Sequence, residues 1–465
     1  MYHYETIKDS RPLLSKTIRW FIYYTFVVYL FNITFNIGLM AGSGATIKSH
    51  IGLSDLEYSC FFSVYALGRF MGAFLFAITY NAVNRKYLMV LGTFCKCISL
   101  IPYYFSDDGL LLLILRIIAG FGNTLGNLYA SMWLGQFGVK KWLGFQRTLL
   151  GFSGAAGRIA GLFYDIYMGG KSYKIGLLMN GACCGLLTFL FLLYPKVYFS
   201  KNLTAIQDDK DLLTDEERNH YSIYNIRESD PSERSLNLCS KNAKIFTNGV
   251  WCSLLISRII VVSTNTTLLF FMIDYCCNIL GGKDERFYVV VYYGLIIFFL
   301  PFIGGKLGGI FGKIVGGYKD KNSFILLFIF NALAIGAFTP GVFQNEWRKF
   351  LIYCSCYYLF SYAVIPCIVG IQIASLKDKD LIKRAGIVTV LSVNLIGNVP
   401  LPVAYALSMD YFKDIDKKMP MKLFVCLGYV GLLFILFAWC FRCKYESSEA
   451  LKEENEKKDI EMQEK

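Results

Sequence analysis

Apolar residues occur along this chain in long unbroken runs rather than in alternation or in single helical stripes. Twelve runs can be marked, at 18–41, 56–80, 86–105, 109–133, 143–168, 173–196, 247–273, 287–316, 322–343, 347–375, 384–410 and 420–443. Each reaches the ~20 residues that an α-helix needs to cross the hydrocarbon of a bilayer. Backbone in lipid must satisfy its own hydrogen bonds, so runs of this length predict helices. The expected fold is all-α and membrane-embedded, with twelve transmembrane helices, and the even number puts both termini on one side.

One long polar stretch interrupts the series. Residues 197–246 contain DDKDLLTDEERNH and RESDPSERS, too charged to enter lipid and too poor in apolar residues to fold alone. The chain therefore divides into an N-terminal segment (1–17), a six-helix half (18–196), a linker (197–246), a second six-helix half (247–443) and a polar tail (444–465). The tail has nearly balanced charge and reads as a solvated helix or a disordered end.

Composition sharpens this picture. The chain is 55% hydrophobic and 17% charged, an apolar excess that a soluble domain of this size could not cover. Its net charge of +13 is concentrated beside one set of run ends, at Arg11, Lys16, Arg19, Arg85, Lys86, Lys140, Lys141, Arg147, Lys319, Lys321, Lys377, Lys379, Lys383 and Arg384. Positive residues gather on the cytosolic side, so the linker and both termini are expected there. Lys413, Lys417 and Lys418 run against the rule. The charge thus reads as topology, and nucleic-acid binding is not expected. Neither is a metal or cofactor: His3, His50 and His220 lie far apart, and most of the fifteen cysteines fall inside apolar runs, where cysteine packs as a small hydrophobe. No enzyme motif appears, and GKIVGGYKDK lacks the P-loop spacing.

Three segments carry a family resemblance. FLFAITYNAVNRKYLMVLG (74–92) is similar to the loop signature between the second and third spans of the major facilitator superfamily, in the form used by the spinster family, with Asn84, Arg85 and Lys86 matching its Asn-Arg-Lys ending. RIIAGFGNTLGNLYASMWLGQF, from Arg116, resembles the family's fourth span. KRAGIVTVLSVNLIGNVPLPVAYALSMD (383–410) resembles its eleventh. The resemblance implies two six-helix halves that rock about a central site, and a sphingolipid or lysophospholipid as cargo. This sequence also departs from the family at its acids. Asn81 and Ala82 stand where the signature has Asp-Arg, Asn123 where the fourth span carries Glu, and Asn32 and Asn36 where the first span carries Asp-Arg. An amide cannot take up and release a proton near neutral pH, so proton coupling is in question and facilitated diffusion or exchange becomes a comparable expectation.

Ionisable groups deep in a span are costly and mark candidate sites. Arg69, Arg116, Arg158 and Arg258 fall near mid-span, whereas Glu57, Asp165, Asp274 and Asp410 lie toward the non-cytosolic ends. Excess guanidinium points to a substrate with a negative group, because the planar fork suits phosphate or carboxylate. Arg116, Gly120, Asn123 and Asn127 form one stripe of the fourth helix, and Asn32 with Asn36, Arg258 with Asn265, and Asn394 with Asn398 share faces of theirs. Tyr65, one turn before Arg69, could wall a pocket. Each of these groups could instead hold helices together. The expected function is alternating-access transport of an anionic or zwitterionic amphiphile such as a lysophospholipid or sphingoid phosphate. Another small solute, or a non-transporting receptor or structural subunit, are the alternatives. Gly304, Gly308, Gly312 and Gly316 lighten the eighth span, and Gly151, Gly154, Gly157 and Gly161 the fifth, where a hinge is expected. Asp9 with Leu13 and Leu14 fits an acidic dileucine pattern that sorting adaptors read, leaning the location toward endolysosomal membrane.

Overall fold

A computed structural model of the protein describes residues 15–79, 83–139, 142–168, 172–199, 245–318, 320–376 and 379–463. Asp9, Leu13, Leu14, Asn81 and nearly all of the expected linker lie outside the described residues. The first six spans are Lys16–Gly42, Asp55–Thr79, Arg85–Leu100 continued by Pro102–Phe105, Gly109–Phe137, Leu143–Met168 and Ser172–Leu193. Then follow Gly249–Asn278, Arg286–Ile314, Asn322–Val342, Trp347–Ala374, an interrupted eleventh span, and Met419–Gln463, which runs on into the tail. Eleven of these helices are long and apolar enough to cross a membrane. The fifth is 26 residues long but diluted by Gln146, Arg147, Arg158 and its glycines.

The eleventh span is Lys379–Ser392, then a π-helical segment Val393–Asn398, then Pro400–Tyr411. Proline cannot donate to the ladder, and its ring crowds the carbonyl four residues back. Just before Pro400 the ladder widens: Val399 N–H donates to the carbonyl of Asn394, five residues back, at 3.0 Å. The amides close on the same segment, with Asn398 Nδ2 donating to Asn394 Oδ1 at 3.2 Å and Asn394 Nδ2 to the Val390 carbonyl at 2.8 Å.

Lipid is as apolar as leucine, so helices in it associate through close backbone approach and polar contacts. Among the described residues several pairs do this with glycine, the third and fourth spans through Gly92 and Gly122 among them. A Cβ on Gly38 would strike the carbonyl of Arg158, and one on Gly161 that of Phe35, locking the first span to the fifth. Gly68 meets the carbonyl of Ile117 and Gly120 that of Tyr65, joining the second and fourth spans. Gly304 and Gly308 meet the carbonyls of Leu359 and Ala363, joining the eighth and tenth. Gly157 and Gly161 of the expected hinge are therefore packing contacts in an unbroken helix. Gly316 does not continue the eighth-span stripe: the helix ends at Ile314, and Gly316 and Gly317 take φ of +93° and +86° in the turn that follows.

The two halves are sealed on one face only. On the face away from the termini, a single buried cluster includes Met40, Tyr58 and Phe62 of the first half and Phe270, Met272 and Tyr293 of the second. Phe62 stacks on Phe270 with ring centroids 3.7 Å apart. Lys48, on the short helix Gly44–Ile51, bonds Asp55 at 2.7 Å and crosses to Asp274 of the seventh span at 2.6 Å. Arg286 reaches back to the Gly42 carbonyl at 3.1 Å. Toward the terminal face the buried apolar residues sort into separate clusters, one around Phe26, Trp133 and Phe137 in the first half, others around Leu254, Phe324 and Ala438 and around Trp251 and Leu376 in the second. The halves therefore part toward the face that carries the termini.

Burial opposes the Lys48 charge, but Asp274 and Asp55 outweigh it and its pKa is raised. A raised folded-state pKa gives a contribution that is complete below the ordinary lysine pKa and is lost as pH rises through the raised value. The lysine charge of the latch is thus constant across the physiological range and is lost only at strongly alkaline pH. Two outcomes are expected. Gly161→Leu lowers the melting temperature of the purified protein, with a cost of about 1–3 kcal/mol, whereas Gly151→Leu, whose new side chain meets open space, leaves it unchanged. Asp274→Asn loosens the seal, read as a roughly tenfold faster alkylation of buried Cys277, one turn along the same helix end, followed by mass spectrometry.

Candidate functional site

The close approach of the second and fourth spans at Gly120 brings the Tyr65 ring over the Arg116 guanidinium, 4.7 Å from its centroid. Arg116 Nη1 donates to Asn36 Oδ1 of the first span at 2.8 Å. Asn123, two turns along from Arg116, donates its amide to the Tyr65 hydroxyl. Three residues from three helices, Tyr65, Asn36 and Asn123, thus surround Arg116, which is 1% exposed. Its Nε and Nη2 are buried without a hydrogen-bond partner, as are Asn36 Nδ2 and Asn123 Oδ1.

Two more arginines join this group. Arg69, one turn beyond Tyr65, interacts electrostatically with Tyr65 and with Arg158 of the fifth span; Arg116 and Arg69 both act on the Tyr65 hydroxyl. Arg158 Nε is also buried and unpartnered. Asp55 and Asp274 sit at helix ends away from the termini, where both are held by Lys48. The side chain of Asp165 lies outside the described residues. Holding a guanidinium away from water without a carboxylate costs several kcal/mol. The arrangement stores the capacity to bind a negative group.

The other sequence candidates are placed elsewhere. Asn32 and Asn180 exchange amide-to-carbonyl bonds at 3.3 and 2.7 Å, and Cys184 Sγ donates to Asn32 Oδ1 at 3.0 Å, tying the first span to the sixth. Asn84 caps the third span by accepting from Lys86 N–H at 3.0 Å, Arg85 donates to Gln136 at 2.7 Å, and Lys86 donates to the Leu192 carbonyl at the end of the sixth span at 2.7 Å. The loop signature is thus a clasp of the third, fourth and sixth spans. In the second half Arg258 donates to Gln372 at 3.2 Å, and Asn265 bonds Ser361 of the tenth span at 3.3 Å. Asn394 and Asn398 pair within the π-helical segment, and Asn127 is exposed. Among the described residues no three His, Cys, Asp or Glu side chains converge as metal ligands would.

Sequence reasoning passed over one group. Lys96, midway along the third span, is 1% exposed and its Nζ has no partner among the described residues. The signal was present in FCKCI, a lone lysine inside an apolar run.

The geometry can be set beside known proteins. A family model described as Major Facilitator Superfamily matches residues 25–402. An uncharacterised MFS-type transporter of Methanocaldococcus jannaschii is 26% identical over 198 residues, 40% of this chain and 49% of that protein, so the match spans about half the relative's length. A bacterial homologue of the human lysosomal transporter Spinster, solved inward-facing and unoccupied, superposes with a TM-score of 0.71 at 12% identity, covering 93% of this chain and 99% of that one. The D-xylose–proton symporter gives 0.62 at 14% identity over 91% and 98%, and a nucleoside transporter 0.62 at 10% over 90% and 98%. Identities this low speak for the fold, which here hosts unrelated cargoes. With the family model running from the first span into the eleventh, this chain belongs to the major facilitator superfamily.

Proposed function

We propose that the protein is a secondary transporter that moves an anionic or zwitterionic amphiphile, such as a lysophospholipid or sphingoid phosphate, by alternating access between its two halves. The observation that carries this reading is Arg116, enclosed by Tyr65, Asn36 and Asn123 with two guanidinium nitrogens unpartnered. A phosphate or carboxylate offers oxygens at the spacing of the guanidinium fork. Arg69 adds positive charge beside the same tyrosine and Arg158 lies close enough to interact with Arg69, and electrostatic focusing by like charges draws an anion inward.

The stacked Phe62 and Phe270, one turn from Tyr65, close the site toward the latched face and give an acyl chain an apolar surface. The resemblance of residues 74–92, the fourth span from Arg116 and residues 383–410 to the spinster family supports the amphiphile over a sugar. By the positive-inside rule the terminal face is cytosolic, so the state described is closed to the outside or lumen and open to the cytosol. Deep acids are scarce in the spans, with Glu57, Asp165, Asp274 and Asp410 toward their ends, which supports exchange or facilitated diffusion rather than carboxylate-borne proton coupling. An endolysosomal membrane, reached through the dileucine segment at Asp9, Leu13 and Leu14, is the location this reading favours.

The test is uptake into proteoliposomes of lysolipids against small organic anions, with and without a pH gradient. Lysolipid uptake is expected, largely independent of the gradient. Arg116→Ala is expected to reduce it at least about tenfold at equal reconstitution, the worth of one charged hydrogen-bonding group. Unchanged uptake in that variant would refute the headgroup assignment, and uptake of small organic anions alone would replace the amphiphile. Absence of any transport, with copurification of a fixed partner, would make the protein a receptor or structural subunit.

A further inference from the structure

The first half encloses more positive charge than the proposed cargo site uses. Lys96 lies on the other side of the fourth span from Tyr65: its side chain packs at the Gly122 contact between the third and fourth spans. It sits beside Cys183 and Cys184 of the sixth span, close enough to Arg116 for the two charges to interact. Its Nζ is buried and has no partner. Along the same seam Asn180 Oδ1 is unpartnered, while Asn32, one turn from Asn36, accepts from Cys184. Four cationic side chains, Arg69, Lys96, Arg116 and Arg158, therefore occupy this half with no carboxylate set against them among the described residues. Unpartnered donors outnumber unpartnered acceptors, with Lys96 Nζ, Arg116 Nε and Nη2, Arg158 Nε and Asn36 Nδ2 against Asn123 Oδ1 and Asn180 Oδ1.

A water molecule can bond a buried ammonium but cannot balance its charge, and a low-dielectric interior penalises the imbalance far more than the missing bond. Glycine at 92 and 122 keeps the two helices at backbone contact there, so the compensating group must be small. We propose that the protein binds a monovalent inorganic anion of chloride size at Lys96, between the third, fourth and sixth spans, as a resident counter-ion separate from the transported cargo. The anion offsets the field of Lys96 on Arg116, so that the Arg116 guanidinium meets its own ligand without an adjacent uncompensated cation. This site lies within one half and does not depend on the halves rocking or on the identity of the cargo.

The experiment compares the melting temperature of the purified protein in sodium chloride and in sodium gluconate at equal ionic strength, for wild type, Lys96→Met and Arg116→Ala. Chloride is the probe. A ligand that binds the native state stabilises it by mass action, so chloride should raise the wild-type value by at least about 2 °C. Lys96→Met, which keeps the volume and removes the charge, should lose that rise and should equal or exceed wild type in gluconate. Arg116→Ala should keep it. Identical wild-type melting in the two salts, or an undiminished chloride effect in Lys96→Met, would overturn the proposal. Should Lys96→Met not fold, binding of radiolabelled chloride to wild-type protein decides it directly, with no saturable binding as the refuting result. None of these readouts involves transport, so a failed chloride effect and a failed lysolipid uptake are separate outcomes.

Discussion

Helices in lipid gain little from burying one apolar face against another, so their arrangement hangs on where two backbones can touch. In this protein glycine decides those points. Gly38 and Gly161 bring the first span onto the fifth, Gly68 and Gly120 the second onto the fourth, Gly304 and Gly308 the eighth onto the tenth. The second of these contacts has a chemical consequence. Because Gly120 lies against the Tyr65 carbonyl, the Tyr65 ring comes to cover a guanidinium that begins one turn away on the neighbouring helix. A packing motif thereby sets the geometry of the site.

That geometry also explains the chemistry it can perform. A carboxylate beside Arg116 would satisfy it and leave nothing for a ligand. Here the guanidinium is oriented by one amide and one aromatic face, neutral partners that fix its position without cancelling its charge. Asp274 and Asp55 sit instead at helix ends away from the termini, where they grip Lys48 and hold the halves together. Charge is thus divided by task, with paired ions at the seal and unpaired cations at the centre.

The one-sided seal gives the fold its direction. A single apolar cluster runs through both halves at the latched face, whereas each half keeps its own cores toward the termini. Rocking one half against the other must open this shared cluster, including the Phe62–Phe270 stack and the Lys48 and Arg286 bonds, whereas the glycine contacts of the first with the fifth, the second with the fourth and the eighth with the tenth spans lie within halves. The π-helical segment before Pro400 widens the eleventh span at mid-length, a place where its ladder can yield at low cost.

The sequence by itself determined the architecture, because bilayer thickness imposes a length that can be counted: the twelve runs, the basic residues beside alternate ends and the acid-poor centre are all visible in one dimension. It also identified Arg116, Tyr65, Asn36 and Asn123 as candidates, since helical spacing places them on faces. Which candidates meet, however, depends on how adjacent helices are rotated, and that is decided by packing between residues far apart in the chain. Only the tertiary structure separated Asn32, tied to Asn180, from Asn36, tied to Arg116, although they share a helix face one turn apart. Only it turned Gly157 and Gly161 from an expected hinge into a helix contact, gave the loop residues Arg85 and Lys86 their roles as clasps, and showed Lys96 to be buried without a partner. A lone charge in an apolar run is legible as a cost; whether another helix brings it a partner is a fact of three dimensions.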